Sequence, residues 1–216
     1  MRKHTYNPLH LFGIKSQVKI SKMPKVLYIN RAVRSDRRFS MEKQLKESGF
    51  QFERIDAPTP DRAIGFLNRA TRGAFLSHLE LIERIARETR EYIILEDDVS
   101  IRDRQRMALA IARIRREEWA CLYFYGASSL RRIYGIVDVH AYLINPQWAS
   151  NIAGALRERY NALSLSGPKD SSTCIDQYIA HHLQHLLPYW GMSACVIQNR
   201  KKFGSDTGWM GNKREE

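Results

Sequence analysis

A chain of 216 residues suits a single domain, and an apolar fraction of 44% is enough for a core and excludes global disorder. The formal charge of +12 points to polyanionic partners: nucleic acid, an anionic lipid surface, or a phosphorylated small molecule. The three scattered cysteines form no Cys-x-x-Cys pair, which argues against a zinc ribbon and a secreted disulfide scaffold, and no apolar run nears the ~20 residues that span a bilayer.

Residues 1–24 read as a basic arm carrying Arg2, Lys3, Lys15, Lys19 and Lys22, a charge pattern suited to the surface of an anionic bilayer. The main domain is expected over residues 25–206, with a polar tail at 207–216. Lys25–Asn30 is the first strand. Ser35 is placed to cap the next helix and Gly49 to end it, with Phe39 and Leu45 on its apolar face. Arg34, Arg37 and Arg38 crowd its first turn, where a solvated basic face and an anion site are both open readings.

Phe50–Ala57 reads as the second strand, closed by Pro58-Thr59-Pro60. Helical spacing of Phe75, Leu79, Ile82 and Ala86 predicts a helix over Thr71–Glu91 with Ser77 and His78 on its early turns. A short apolar strand from Tyr92 follows, then a basic amphipathic helix over Asp103–Glu118 with Met107, Ala110, Ile111 and Ile114 inward. Cys121–Tyr125 and Ala141–Asn145 are further strands. Pro146 opens a helix bearing Trp148, Ile152, Leu156 and Tyr160. Thr173 is placed to cap a last helix with Ile175, Ile179, Leu183 and Leu186 inward, and Ser193–Gln198 is the final strand. Alternation of strand and helix over Lys25–Glu118 predicts an α/β domain with a parallel sheet and right-handed crossovers.

The chemistry concentrates where the strand beginning at Tyr92 runs into Glu96-Asp97-Asp98. Carboxyl ends of strands are where open α/β sheets bind ligands. Three adjacent carboxylates repel one another, and hard oxygen donors suit Mg²⁺ or Mn²⁺. Residues two apart on an extended strand face one side, so Glu96 and Asp98 are expected to cooperate. A solvated acidic turn is the alternative. His181-His182-x-x-His185 lacks the glutamate of His-Glu-x-x-His, and neither a Walker loop nor Gly-x-Gly-x-x-Gly occurs. Zinc peptidases, P-loop NTPases and dinucleotide enzymes are therefore disfavoured. A phosphoacceptor receiver domain carries its acids after the first strand, not a later one, and no RNA-binding motif accompanies the ten tyrosines.

Several ordered blocks carry a resemblance. Val26–Asn30 precedes the arginine cluster, and Gly49 leads a strand that ends in Asp56-Ala57. Gly73-Ala74-Phe75-Leu76-Ser77-His78 precedes Leu95-Glu96-Asp97-Asp98-Val99. Ala141-Tyr142-Leu143-Ile144, Ile175-Asp176 and Gln198 come later. Together these resemble glycosyltransferase family 25, the lipopolysaccharide galactosyltransferase-like proteins; Arg31 departs from the family's usual leucine. The resemblance implies a GT-A-like fold that uses Mn²⁺ (or Mg²⁺), while the scattered cysteines and the basic arm lead us to expect a cytoplasmic protein, peripheral at a membrane. The resemblance further implies transfer with inversion from a nucleotide-sugar, commonly UDP-galactose, to a glycan or lipid-linked glycan, with no nucleic-acid partner. On that reading Asp98, with Asp97, holds the metal. Asn30, Arg34, Arg37, Ser77, His78, Glu96 and Asp97 bind the donor, and Asp176 is the catalytic base, with Asp138 in reserve.

Overall fold

Side-chain alternation along the first strand, β1 (Lys25–Asn30), divides the molecule into two apolar layers. Val26 and Tyr28 enter one cluster with Ile93, Leu95, Leu122 and Leu143; Leu27 and Ile29 enter the other with Tyr92, Ile94, Tyr142 and Ile144. Strands buried on both faces have no polar side to present, which is why these runs are apolar throughout. The computed structural model describes residues 23–65, 67–125, 129–134, 139–165, 174–192, 195–199 and 202.

After β1 come α1 (Ser35–Glu47), β2 (Phe52–Asp56), α2 (Arg69–Glu88), β3 (Tyr92–Glu96), β4 (Val99–Ile101), α3 (Arg104–Ile114), β5 (Cys121–Tyr123), β6 (Arg131–Arg132), β7 (Ala141–Ile144) and α4 (Pro146–Ser164). The chain continues through α5 (Ile175–Tyr178), a π-helical stretch (Ile179–Leu183), α6 (Gln184–Leu186), β8 (Tyr189–Gly191) and β9 (Val196–Gln198). The main sheet has the order β2-β1-β3-β7-β5-β8-β6, and β4 and β9 form a separate antiparallel pair. Five strands of the main sheet share one direction, while β7 and β6 run against them. The sheet is thus mostly parallel, as expected. Of the two exceptions, β7 lies between β3 and β5 and β6 lies at the edge beside β8.

Met41 and Leu45 of α1 and Met107, Ala110, Ile111 and Ile114 of α3 cover one face of the sheet. Phe75, Leu79, Ile82 and Ile85 of α2, with Ile152, Leu156 and Tyr160 of α4, cover the other. The helices α2 and α4 are tied by Arg72 Nε to Tyr160 Oη at 2.9 Å and by Arg157 to Glu83 at 2.7 Å. A Cβ at Gly73 would sit 2.8 Å from Pro58 O, so only glycine lets α2 approach the Pro58-Thr59-Pro60 turn this closely without a shift.

Several boundaries differ from expectation. Ser35 is the first helical residue of α1; Arg34 holds the cap position, with no side-chain capping bond. Phe39 is 74% exposed, because the inward face of α1 passes through Arg37, Met41 and Leu45. The cap of α2 is Asn68, whose Oδ1 accepts from Thr71 N at 2.8 Å, and Thr89 ends the helix in the left-handed region at φ 52°. Asp103 caps α3 from outside. The last helix is broken by its π-helical stretch, which rotates the face and leaves Leu186 77% exposed. The short strands β4, β6 and β8 add to the expected set. The arm up to residue 22, the tail, Gly126, Asp138 and Thr173 lie outside the described residues. No described helix is long and apolar enough to cross a membrane.

On β2, Glu53 accepts from Arg84 and Lys25, each at 2.7 Å, and these bonds lower its pKa from 4.5 to about 2. A depressed carboxylate stabilises the fold fully above its unfolded pKa and loses that contribution as pH falls through its folded pKa. Wild type is therefore expected to exceed Glu53→Gln in denaturant midpoint at pH 7, with the gap closing between pH 4.5 and 2. A gap independent of pH would show that the charge of Glu53 contributes nothing.

Candidate functional site

Asn30 and Glu96 end the neighbouring parallel strands β1 and β3, at the sheet edge where α/β folds gather ligands. Glu96 follows the parity of Tyr92 and Ile94 and faces α2. Its Oε1 lies 3.3 Å from His78 Nε2, and His78 Nδ1 lies 2.8 Å from Tyr142 Oη. Glu96 Oε2 meets His140 Nδ1, because antiparallel β7 begins beside the end of β3 and Glu96 N donates to His140 O at 2.8 Å. Burial opposes ionisation of Glu96, but His140 and His78 hold its carboxyl well below the usual carboxylate range.

Asp97 turns to the opposite layer. Its Oδ2 accepts from Asn30 Nδ2 at 2.7 Å and its Oδ1 from Arg37 Nη1 at 2.9 Å. Asn30, Arg37 and Asp97 are 1%, 5% and 7% exposed, so the group is internal. Arg54 extends it by donating to Asn30 Oδ1 at 3.2 Å. Burial raises the pKa of Asp97, with Asn30 and Arg37 pulling against it. The crowded arginines thus divide by role: Arg37 is buried against Asp97, whereas Arg34 pairs with Asp36 and Arg38 with Glu42 at the surface.

Asp98 returns to the Glu96 side. Glu96, Asp98 and His140 each offer a ligand atom within 4.8 Å of the others, a group able to hold a metal ion. Asp98 Oδ2 accepts from Gln198 Nε2 at 3.1 Å, and Gln198 Nε2 also lies 3.4 Å from His140 Nδ1. Asp98 Oδ1 is buried with no hydrogen-bond partner among the described residues. A buried carboxylate oxygen without a donor calls for a cation, so these residues fit a divalent metal. Burial, and then the charge of Glu96, raise the pKa of Asp98 to about 6.

Two of the remaining expected site residues bond within their own helices. Ser77 is buried, and its Oγ donates to Gly73 O at 2.8 Å within α2, an internal bond that needs no ligand. Asp176 stands in the first turn of α5, half-buried, with Oδ1 accepting from Gln177 N at 2.8 Å. His182 packs tilted against Tyr178 and His185 stacks on Tyr134, at 4.9 and 5.9 Å between ring centroids. His140 was missed by sequence reasoning; an isolated histidine before a strand has no spacing to reveal it, and β7 alone carries it to Glu96.

The chain matches no protein-family model and no curated protein by sequence. A crystal structure of a glycosyltransferase involved in the glycosylation of the major capsid of PBCV-1 superposes with a TM-score of 0.52 at 9% identity, over 78% of this chain and 80% of that one. A197 from STIV is a looser likeness, with a TM-score of 0.43 at 9% identity over 80% of this chain and 83% of that one, and nothing rests on it. At such identities likeness speaks of architecture alone, and the architecture is the α/β, GT-A-like fold expected from the sequence.

Proposed function

We propose that the chain is a metal-dependent glycosyltransferase that moves a hexose, galactose in the leading reading, from a UDP-sugar to a hydroxyl of a glycan acceptor. One observation carries this reading: Glu96, Asp98 and His140 converge at the end of β3, with Asp98 Oδ1 buried and undonated, in a fold shared with a glycosyltransferase. When bound, Mn²⁺ or Mg²⁺ supplies positive charge to a departing diphosphate. Asp98 is the proposed anchor of that ion. Glu96 lies beside it on the donor side, and Asn30, Arg37 and Asp97 brace the turn from behind. We assign Ser77 and His78 of α2, with Arg34 at the cap of α1, to the donor side.

An inverting transfer needs a base on the face of the sugar opposite the leaving group, and we assign that role to Asp176. The sequence resemblance to family 25 supports a lipid-linked or lipopolysaccharide acceptor, and the charge of the basic arm supports a place in the cytoplasm at an anionic membrane.

The test is thermal unfolding with UDP and UDP-sugars, with and without Mn²⁺. Binding to the folded state at 100 times Kd adds about 2.7 kcal/mol, a shift of several degrees at this size. The shift is expected to need Mn²⁺, to weaken below about pH 6 as Asp98 takes up its proton, and to vanish in Asp98→Asn. No response to any nucleotide would overturn the reading in favour of an inactive relative. Polynucleotide binding with a steep salt dependence would instead favour a polyanion-binding module.

A further inference from the structure

Resting on the metal-site reading above, we infer a division of labour within the acidic turn. Asp98 and His140 Nε2 contact the ion, while Glu96 acts as an outer carboxylate that orients His140, braced in turn by His78 and Tyr142. Glu96 has two oxygens and both face histidine nitrogens, Oε1 toward His78 Nε2 and Oε2 toward His140 Nδ1. An ionised carboxylate only accepts, so each of those nitrogens must carry its hydrogen. In a neutral imidazole the other nitrogen is then the acceptor.

Applied to His78, this makes Nδ1 the acceptor, and the Tyr142 hydroxyl 2.8 Å away donates to it. The chain of bonds therefore has one direction: Tyr142 to His78 to Glu96. His78 and Tyr142 are 1% and 3% exposed, so packing holds the rings in place and these two bonds set the tautomer. Applied to His140, the same rule puts hydrogen on Nδ1, whose contact with Glu96 is closer than its 3.4 Å approach to Gln198, and places the ligating lone pair on Nε2. A carboxylate, then an imidazole, then a metal is a recurrent order in protein metal sites, with the carboxylate fixing the tautomer and the orientation of the ring. Asp98 completes the set through Oδ1, since Oδ2 is engaged by Gln198. An imidazole nitrogen among the ligands also biases the site toward a first-row transition ion over Mg²⁺.

The experiment titrates Mn²⁺ into the full chain, reading affinity by continuous-wave EPR and ligand identity by electron spin-echo modulation. Bound Mn²⁺ in wild type is expected to show ¹⁴N modulation from a directly ligated imidazole. His140→Ala, and His140→Gln as a milder change, lose that modulation. Glu96→Gln weakens Mn²⁺ binding by roughly 10–100-fold but keeps the modulation once saturated, as expected of an outer partner. Circular dichroism confirms that each variant is folded. Mn²⁺ bound to wild type without nitrogen modulation would overturn the role of His140. Loss of all binding in Glu96→Gln, matching Asp98→Asn, would make Glu96 a ligand and overturn its outer role. No Mn²⁺ binding to wild type, with or without UDP, would overturn the metal reading itself.

Discussion

Asp97→Ala is expected to cost about 3–5 kcal/mol of stability, the range for removing one partner of a buried ion pair. The Asp97 and Arg37 side chains are 9% and 6% exposed, so water is poorly placed to replace the carboxylate beside the guanidinium. Asn30 Nδ2 loses its 2.7 Å acceptor as well. Asp98 Oδ2, 4.0 Å from Arg37 Nη1, takes up part of the charge and favours the lower end of the range. At 2–4 °C per kcal/mol for a chain of this size, the melting temperature falls by roughly 6–20 °C. Arg37→Met in the Asp97→Ala background should recover part of the loss, because an apolar pair avoids the uncompensated charge. An Asp97→Ala protein within about 1 kcal/mol of wild type would show that Arg37 does not depend on this carboxylate.

The second large effect concerns turnover. If Asp176 is the general base, Asp176→Asn lowers kcat by about 10²–10⁴-fold, the usual contribution of positioned acid–base catalysis. Asparagine keeps the size and the acceptor oxygen that bonds Gln177 N, so α5 should retain its first turn. Donor binding, measured as the nucleotide-dependent rise in melting temperature, should be unchanged. Unaltered kcat with saturating acceptor would remove Asp176 from the reaction and leave it as a helix-terminal carboxylate favoured by the dipole of α5.

Much of the architecture was legible because β1 and β3 are short apolar runs and α2 and α4 carry apolar residues at helical spacing. The acids at the end of β3 were equally plain. What sequence could not show is which way each acid turns. Strand parity aims Glu96 at α2, yet Asp97 is drawn to the α1 layer by Asn30 and Arg37, which come 67 and 60 residues earlier. For Arg37 a solvated face and an anion site were equally open, since helical periodicity says nothing of a buried carboxylate waiting for it. The antiparallel entry of β7 is tertiary too. It depends on pairing Leu95 with Ala141, and that register alone delivers His140 to the site.

The two-stranded pairing of β4 with β9 has a consequence for synthesis. Gln198 and Asp98 are 100 residues apart, and Asn199 N closes on Asp98 O at 2.7 Å. As the chain emerges from the ribosome, β1, α1, β2, α2 and β3 have everything needed to pair and pack before β9 exists. Closing so long a loop comes late, since its entropy is lost before its contacts form. The acidic turn therefore matures only after β9 has been made. A product cut short before residue 196 keeps β1, β2 and β3 but lacks the strand that finishes the turn, so truncated chains never acquire the complete site.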